Sequence, residues 1–166
     1  MKNKNRMPII AFIIGFVITF LISVLSANGF EADTYIAEEY QAYCEEIGEM
    51  YCVCPELLMA MIETESSGNP DATNGTCKGL MQVSEKWHKD RMARLGVKDI
   101  YDPYGNILVA TDYLMELAEK YEDVGLVLDV YNGNSKAMQN AENGVLSEYA
   151  TKILYRAEIL ERIHGK

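Results

Sequence analysis

Apolar and polar positions along this chain alternate with a helical period. Apolar residues recur at spacings of three and four, as on one face of an α-helix, and no alternating run is long enough to indicate a strand. We predict helical segments at residues 34–50, 55–65, 79–95, 107–121, 125–131 and 145–163. The predicted fold class is therefore all-α, and we find no internal repeat.

The second of these helices carries a carboxyl group on its apolar face. The i, i+3, i+4, i+7 spacing places four residues on that face: Leu58, Met61, Ile62 and Glu65. Glu65 should therefore point inward, whereas Glu63, about 200° away round the helix, should face water. Burial and the negative end of the helix dipole both raise the pKa of such a carboxyl. Glu65 is thus a candidate general acid, the alternative being a half-exposed Glu without a special role.

The first 29 residues differ from the rest in composition. Residues 1–6 contain three basic side chains, and residues 8–25 contain no charge. This is the pattern of a signal peptide, but roughly 27 Å of helix is also at the short limit for crossing a membrane. Cleaved signal peptide and retained anchor both remain open, and both place residues 30–166 outside the cytoplasm, secreted or membrane-anchored. That remainder is long enough for one domain.

The chain is acidic, with 15 Lys and Arg against 25 Asp and Glu. Nucleic acid is not an expected partner, because phosphate binding requires clustered cations and the basic residues here are scattered. The two histidines, His88 and His164, have no neighbours in the sequence that resemble metal ligands. We predict neither a metal site nor a cofactor.

The four cysteines, Cys44, Cys52, Cys54 and Cys77, form an even number in a domain expected to be exported, which favours two disulfides. A bridge between Cys52 and Cys54 would close a very tight ring. We favour Cys54 with Cys77 and Cys44 with Cys52. Reduced thiols are one alternative, and a four-cysteine zinc site, whose usual pair of C-x-x-C motifs is absent, is another.

Three short motifs follow one another along the chain: Glu65-Ser66 with Asn69-Pro70-Asp71-Ala72, then Gly79-Leu80-Met81-Gln82, then Tyr131-Asn132-Gly133. In this order they resemble the lytic transglycosylases of the soluble-lytic, goose-lysozyme-like superfamily, whose signature is E-S at a helix end, G-L-M-Q and Y-N-A-G. The resemblance covers residues 40–155. It implies a single lysozyme-like (SLT-type) helical domain that binds peptidoglycan glycan strands.

The resemblance also implies a reaction. Lytic transglycosylases cleave the bond between N-acetylmuramic acid and N-acetylglucosamine with one Glu, because the C6 hydroxyl of muramic acid is the nucleophile and the product is a 1,6-anhydro sugar. Glu65 would donate a proton to the glycosidic oxygen and then, as a carboxylate, accept the proton of that hydroxyl.

Other motif positions would bind substrate by the same resemblance. Ser66 would hydrogen-bond near the acid or the sugar, unless it is only a helix-end hydroxyl. Met81 would form a groove wall, unless it is simply a core residue. The amide of Gln82 suits recognition of N-acetyl or hydroxyl groups.

Tyr131 matches the tyrosine whose hydroxyl orients the catalytic carboxyl, and Asn132 the amide that holds sugar. The chain departs from the family pattern directly afterwards, since Gly133 stands in place of alanine and Asn134 in place of glycine. Tyr149 matches the tyrosine of the C-terminal Y-V-x-K-V motif and completes the predicted substrate-binding set.

Two other functions are open. A hydrolytic muramidase of the same fold would need a second acid, such as Asp129 or Asp71, to activate water, although Asp129 is also readable as a solvent-facing residue. The other is an accessory wall-binding protein of a secretion or conjugation system. The expected partners are therefore glycan strands, a membrane through the N-terminal helix, and secretion or conjugation machinery.

Overall fold

The computed structural model describes residues 32–166, and the N-terminal segment predicted as a signal peptide or anchor lies outside them. This part of the chain folds into seven α-helices and three strands of two residues each: α1 (Glu38–Tyr51), α2 (Pro55–Ser66), β1 (Thr73–Asn74), β2 (Cys77–Lys78), β3 (Val83–Ser84), α3 (Glu85–Leu95), α4 (Pro103–Lys120), α5 (Val124–Tyr131), α6 (Ala137–Glu142) and α7 (Glu148–Ile163). The all-α prediction is confirmed. Within residues 32–166, no helix combines the length and apolar character that a membrane span requires.

Helix α2 lies at the centre of the molecule. It begins at Pro55, where the missing N–H costs nothing, and it packs against α1 and α7. Residues 58–62 are all buried, including Met59 and Ala60, which lie off the predicted apolar face. Helix α2 is therefore enclosed on more than one side, and residues beyond that face become buried with it.

The segment predicted as a helix at residues 79–95 is only partly helical. Residues 79–82 form a turn, β3 follows, and α3 begins at Glu85. Gly79 and Gln82 both have left-handed backbone conformations, with φ of 77° and 48°, which a right-handed helix does not accept. A Cβ atom at Gly79 would also lie 2.4 Å from the Asn106 side chain, so glycine alone fits there.

The 79–82 turn is fixed to α4 by the fully buried amide of Asn106. Its Nδ2 donates to the carbonyls of Lys78 (2.9 Å) and Ile100 (2.8 Å), and its Oδ1 accepts from the backbone N–H of Met81 (2.7 Å). A buried amide with all these bonds made holds one geometry strongly. The strands β1, β2 and β3 pair in order as an antiparallel sheet, which brings the loop after α2 against this turn.

All four cysteines lie in the described part of the chain, and all four are free thiols. Cys44 is fully buried in α1, whereas Cys52 is exposed just beyond that helix, so the two sulfurs lie in different environments. The sulfur of Cys54 lies 3.1 Å from a carboxylate oxygen of Glu161 and 3.2 Å from one of Glu56. The predicted disulfides are therefore not formed.

Candidate active site

Glu65 lies in the last turn of α2, facing the start of α7. The phenol of Tyr149 donates a hydrogen bond to its Oε1. Burial raises the pKa of Glu65, and the hydrogen bond from Tyr149 and the positive charge of Lys152 offset only part of this rise. The pKa of Glu65 therefore stays above its ordinary value, and this carboxyl remains protonated to a higher pH than an exposed Glu does.

Tyr131 does not bond to the Glu65 carboxyl. Its hydroxyl donates to the carbonyl of Met81 at 2.8 Å and so links α5 to the 79–82 turn. Burial and the nearby charge of Glu65 raise the pKa of Tyr131, which keeps the phenol neutral. In this structure the contact with the acid belongs to Tyr149, and Tyr131 shapes the loop beside it.

Two of the predicted substrate-binding residues are engaged in the fold. The hydroxyl of Ser66 donates to the carbonyl of Ile62 at 3.2 Å, as expected for a helix-end hydroxyl. The side chain of Met81 is fully buried among core residues, so it does not form a groove wall here. The cause is the turn conformation of residues 79–82, since the bond between the Met81 N–H and Asn106 directs this segment into the core.

The two polar atoms of the Gln82 side chain differ: the nitrogen is hydrogen-bonded within the fold and the oxygen is not. Its side-chain nitrogen donates to the carbonyls of Gly79 (2.9 Å) and Ala72 (3.2 Å), which ties the loop after α2 to the turn. No described residue donates to its side-chain oxygen, which leaves that acceptor for a ligand. Its amide therefore remains a candidate for recognition of an N–H or hydroxyl group.

Asn132 is exposed at the C-terminal end of α5, and Gly133 after it has a φ of 71°. Glycine adopts this left-handed conformation without strain, and an alanine would not. The N–H of Asn134 then donates to the carbonyl of Asp129 at 2.9 Å. Glycine in place of the family's alanine at position 133 therefore suits the left-handed backbone conformation found there.

A cavity of about 430 Å³ opens on the Tyr149 side of Glu65, between the end of α2, the loop after α5 and the start of α7. Seven residues line it: Thr64, Asn132, Asn134, Ser147, Glu148, Tyr149 and Lys152. Tyr149 and Asn132 thus line one opening, and Glu65 adjoins it through its hydrogen bond with Tyr149. Met81 is not among the lining residues.

Asp129 is buried, with 2% of its surface exposed, and does not face solvent as the sequence suggested. Its carboxylate accepts a hydrogen bond from the Ser147 hydroxyl and another from the Asn140 amide at 3.2 Å. Ser147 also caps α7 by accepting from the N–H of Ala150 at 3.0 Å. Residues 125–128, which precede Asp129 in the short helix α5, are buried too, so this carboxylate fixes the start of α7 instead of meeting water.

Glu63 is also buried, with 8% exposed, although the helical period predicted a position in water. Its carboxylate accepts from Arg156 Nε at 2.6 Å and Nη2 at 2.9 Å, and from the Thr34 hydroxyl at 2.7 Å. Helix α7 covers this face of α2, which a single-helix argument does not foresee. Glu63 lies two residues before Glu65, and Arg156 lies two turns after Tyr149 on the same face of α7. The ion pair therefore joins the two helices that form the site.

The family model described as transglycosylase SLT domain matches residues 42–153. Over 86 residues, the chain is 38% identical to a protein named transglycosylase from Enterobacteria phage PRD1, an alignment that covers 51% of this chain and 31% of that protein.

A second relative is a protein from Serratia proteamaculans (strain 568) named membrane-bound lytic murein transglycosylase C. It is 34% identical over 98 residues, covering 51% of this chain and 26% of that protein. The chain therefore spans about a third or less of the length of these relatives. Because the family model covers more than half of the chain, this protein belongs to the transglycosylase SLT domain family.

Proposed function

We propose that this protein is a peptidoglycan lytic transglycosylase that cleaves the bond between N-acetylmuramic acid and N-acetylglucosamine and leaves 1,6-anhydro ends. One observation carries the proposal: Glu65 is a partly buried carboxyl with a raised pKa, and it accepts a hydrogen bond from Tyr149, which lines a cavity. Membership of the family, and the names of both relatives, support the same reaction class.

The reaction needs one carboxyl in two protonation states. Protonated Glu65 donates its proton to the glycosidic oxygen as the bond from C1 to that oxygen breaks. The resulting carboxylate then accepts the proton of the C6 hydroxyl as O6 bonds to C1, which regenerates the acid and consumes no water. A pKa raised by burial suits the first step, and the hydrogen bond from Tyr149 stabilises the anion between the steps.

A hydrolytic muramidase is the second candidate. Its reaction needs a further carboxylate near the scissile bond. Asp129 is buried, with hydrogen bonds to both oxygens, and Asp71 is exposed on the loop after α2. Glu148 is the carboxylate that shares the cavity lining with Tyr149. It is the residue on which hydrolysis would depend.

The other assignments follow from position. Tyr149 positions Glu65, while the exposed amide of Asn132 and the free oxygen of Gln82 are the groups that contact sugar. Ser66, Met81 and Tyr131 act through the fold and not through the substrate.

We also propose that residues 1–29 are a signal peptide or membrane anchor and that residues 30–166 form the catalytic domain on the outer side of the membrane. The name of the Serratia relative supports this location. As part of the same proposal, the protein opens the cell wall for a secretion or conjugation system.

The test is digestion of purified peptidoglycan with the wild-type protein and with Glu65→Gln, followed by mass analysis of the glycan ends. We expect anhydro ends from the wild type and a loss of at least about a hundredfold in Glu65→Gln, as for removal of a general acid. Glu119→Gln, an exposed Glu on α4, is the matched control and should behave as wild type.

The other outcomes separate the alternatives. Reducing ends that disappear in Glu148→Gln would establish the muramidase. Binding of peptidoglycan by the wild type without any cleavage would establish the accessory role.

A further inference from the structure

The cavity beside Glu65 contains polar groups that the fold does not use. Within residues 32–166, the side chains of Thr64, Asn132 and Lys152 have no hydrogen-bond partner, although all three line the cavity. By contrast, Ser147 is bonded to Asp129 and Tyr149 to Glu65. The unused groups are available to a ligand.

Lys152 is the cation among the lining residues. It follows Tyr149 by three residues, about one turn along α7, and its charge lowers the pKa of Glu65. Glu148 stands one turn earlier on α7, in the i, i+4 arrangement that often forms an ion pair, yet no salt bridge joins the two side chains. Among the described residues, Lys152 therefore has no direct ion-pair partner, although the Glu148 carboxylate lines the same cavity.

An unpaired ammonium beside hydroxyl and amide donors is suited to a carboxylate. In the proposed substrate, both sugars carry neutral hydroxyl and N-acetyl groups, which need no cation. Muramic acid alone carries an acidic arm: a lactyl ether at O3 whose carboxyl is free or joined to a stem peptide that bears further carboxylates. That arm is the feature that distinguishes the two sugars of the strand.

The geometry points to Lys152 as a specificity-determining residue that binds a carboxylate on the acidic arm of muramic acid, with the cavity next to Glu65 receiving this arm. The inference rests on the proposed function and names the part of the substrate that the cavity recognises. By holding the arm, Lys152 sets which of the two alternating glycosidic bonds lies at Glu65.

The test compares wild type, Lys152→Met, Lys152→Arg and the control Lys98→Met, which removes an exposed lysine elsewhere on the surface. Soluble glycan strands with stem peptides are the first substrate. The same strands after removal of the peptides by an amidase, with the lactyl carboxylate free, are the second. Chitin oligosaccharide, which has no acidic arm, serves as a competitive inhibitor.

We expect Lys152→Met to raise KM for acid-bearing strands by about tenfold with little change in kcat, the scale of one partly exposed charge-assisted contact. Lys152→Arg should restore most of the affinity, and Lys98→Met should match wild type. Added salt should raise KM of the wild type and not that of Lys152→Met. Inhibition by chitin oligosaccharide should be the same in all four proteins. An effect that appears only after amidase treatment assigns the lactyl carboxylate, because that carboxyl is an uncharged amide while the stem peptide is attached. An effect that is lost after the treatment assigns a stem carboxylate.

Two results would overturn the inference. One is an equal loss of affinity for chitin oligosaccharide. The other is a fall in kcat with a shifted pH profile and unchanged KM, which would mean that Lys152 only tunes Glu65. If the wild type releases no anhydro ends, the proposed function fails by itself, and binding of both strand types to Glu65→Gln with and without Lys152→Met still tests the inference.

Discussion

At the scale of single residues, Tyr149 lowers the pKa of Glu65 and so favours its charged form. Its phenol donates to the carboxylate, and this bond lowers the pKa of Glu65 against the larger effect of burial. In Tyr149→Phe the pKa of Glu65 should therefore rise, so the limb of the pH–rate profile on which the acid loses its proton should move to higher pH. We also expect kcat to fall by about tenfold, because the carboxyl loses its positioning contact.

The measurement is kcat against pH on soluble glycan strands. Tyr155→Phe, which changes an exposed tyrosine of the same helix, is the control and should leave the profile unchanged. An unshifted profile in Tyr149→Phe would contradict a direct role of the phenol on Glu65.

The free thiols give a second prediction at this scale. Cys52 is exposed and should react with a thiol reagent in the native protein. Cys44 should not react, because burial raises the pKa of its thiol to about 12 and excludes the reagent. Protein purified without reductant should release the full set of four thiols in denaturant, as counted by a chromogenic disulfide reagent. A count of two or fewer would mean that disulfides form after all.

At the scale of elements, the ion pair of Glu63 and Arg156 joins α2 to α7. The two side chains are 8% and 20% exposed. Removing the cation in Arg156→Met leaves a buried carboxylate without its partner, so we expect the free energy of unfolding in urea to fall by about 3 kcal/mol. The double variant Glu63→Gln/Arg156→Met should be less destabilised than Arg156→Met alone, since no charge then remains buried.

A double-mutant cycle gives the coupling between the two side chains. A single-variant loss below about 1 kcal/mol, the value typical of surface pairs, would contradict the view that this pair holds the two helices together. Because Glu65 and Tyr149 lie on the same two helices, Arg156→Met should also lower kcat without changing the protonation state of Glu65.

At the scale of the whole molecule, the C-terminus is tied to α2 by charge. The fully buried Glu56 carboxylate accepts from Lys166 Nζ at 2.7 Å and lies 2.9 Å from His164 Nδ1. Burial raises the pKa of Glu56, but the bonds from Lys166, His164 and Cys54 outweigh it and lower that pKa from 4.5 to about 2. The bond to Glu56 raises the pKa of His164 above 6.5.

These two shifts define a pH window for stability. The lowered pKa of Glu56 contributes stability that is present above about pH 4.5 and lost as the pH falls towards 2. The raised pKa of His164 contributes stability that is present below about pH 6.5 and lost as the pH rises through the folded value. Urea midpoints between pH 2.5 and 8.5 should therefore peak between these limits, and Glu56→Gln should flatten the acid limb. Parallel curves for the two proteins would contradict this assignment.

Much of this fold and site was predictable from local pattern. Helix periods depend on neighbours three and four residues away, so the main helices and the inward direction of Glu65 follow from sequence spacing alone. The motifs at Glu65, Gln82 and Tyr131 are likewise contiguous, and their order along the sequence indicates the family. Even the left-handed glycine at Gly133 stands where the motif changes.

What only the tertiary structure decided depends on partners that are distant in sequence. Glu63 is buried because Arg156, 93 positions later, packs against it, and Asp129 because Ser147 and Asn140 fold back onto it. Tyr149 reaches Glu65 across 84 positions. Asn106, which lies on α4, fixes the turn at residues 79–82 through its hydrogen bond with Met81. In the sequence, the one sign of this role is a single amide on an otherwise apolar helix face. The main helices are thus local properties of this sequence, whereas the burial of its carboxyl groups, and with it the pKa of Glu65, is set by long-range packing.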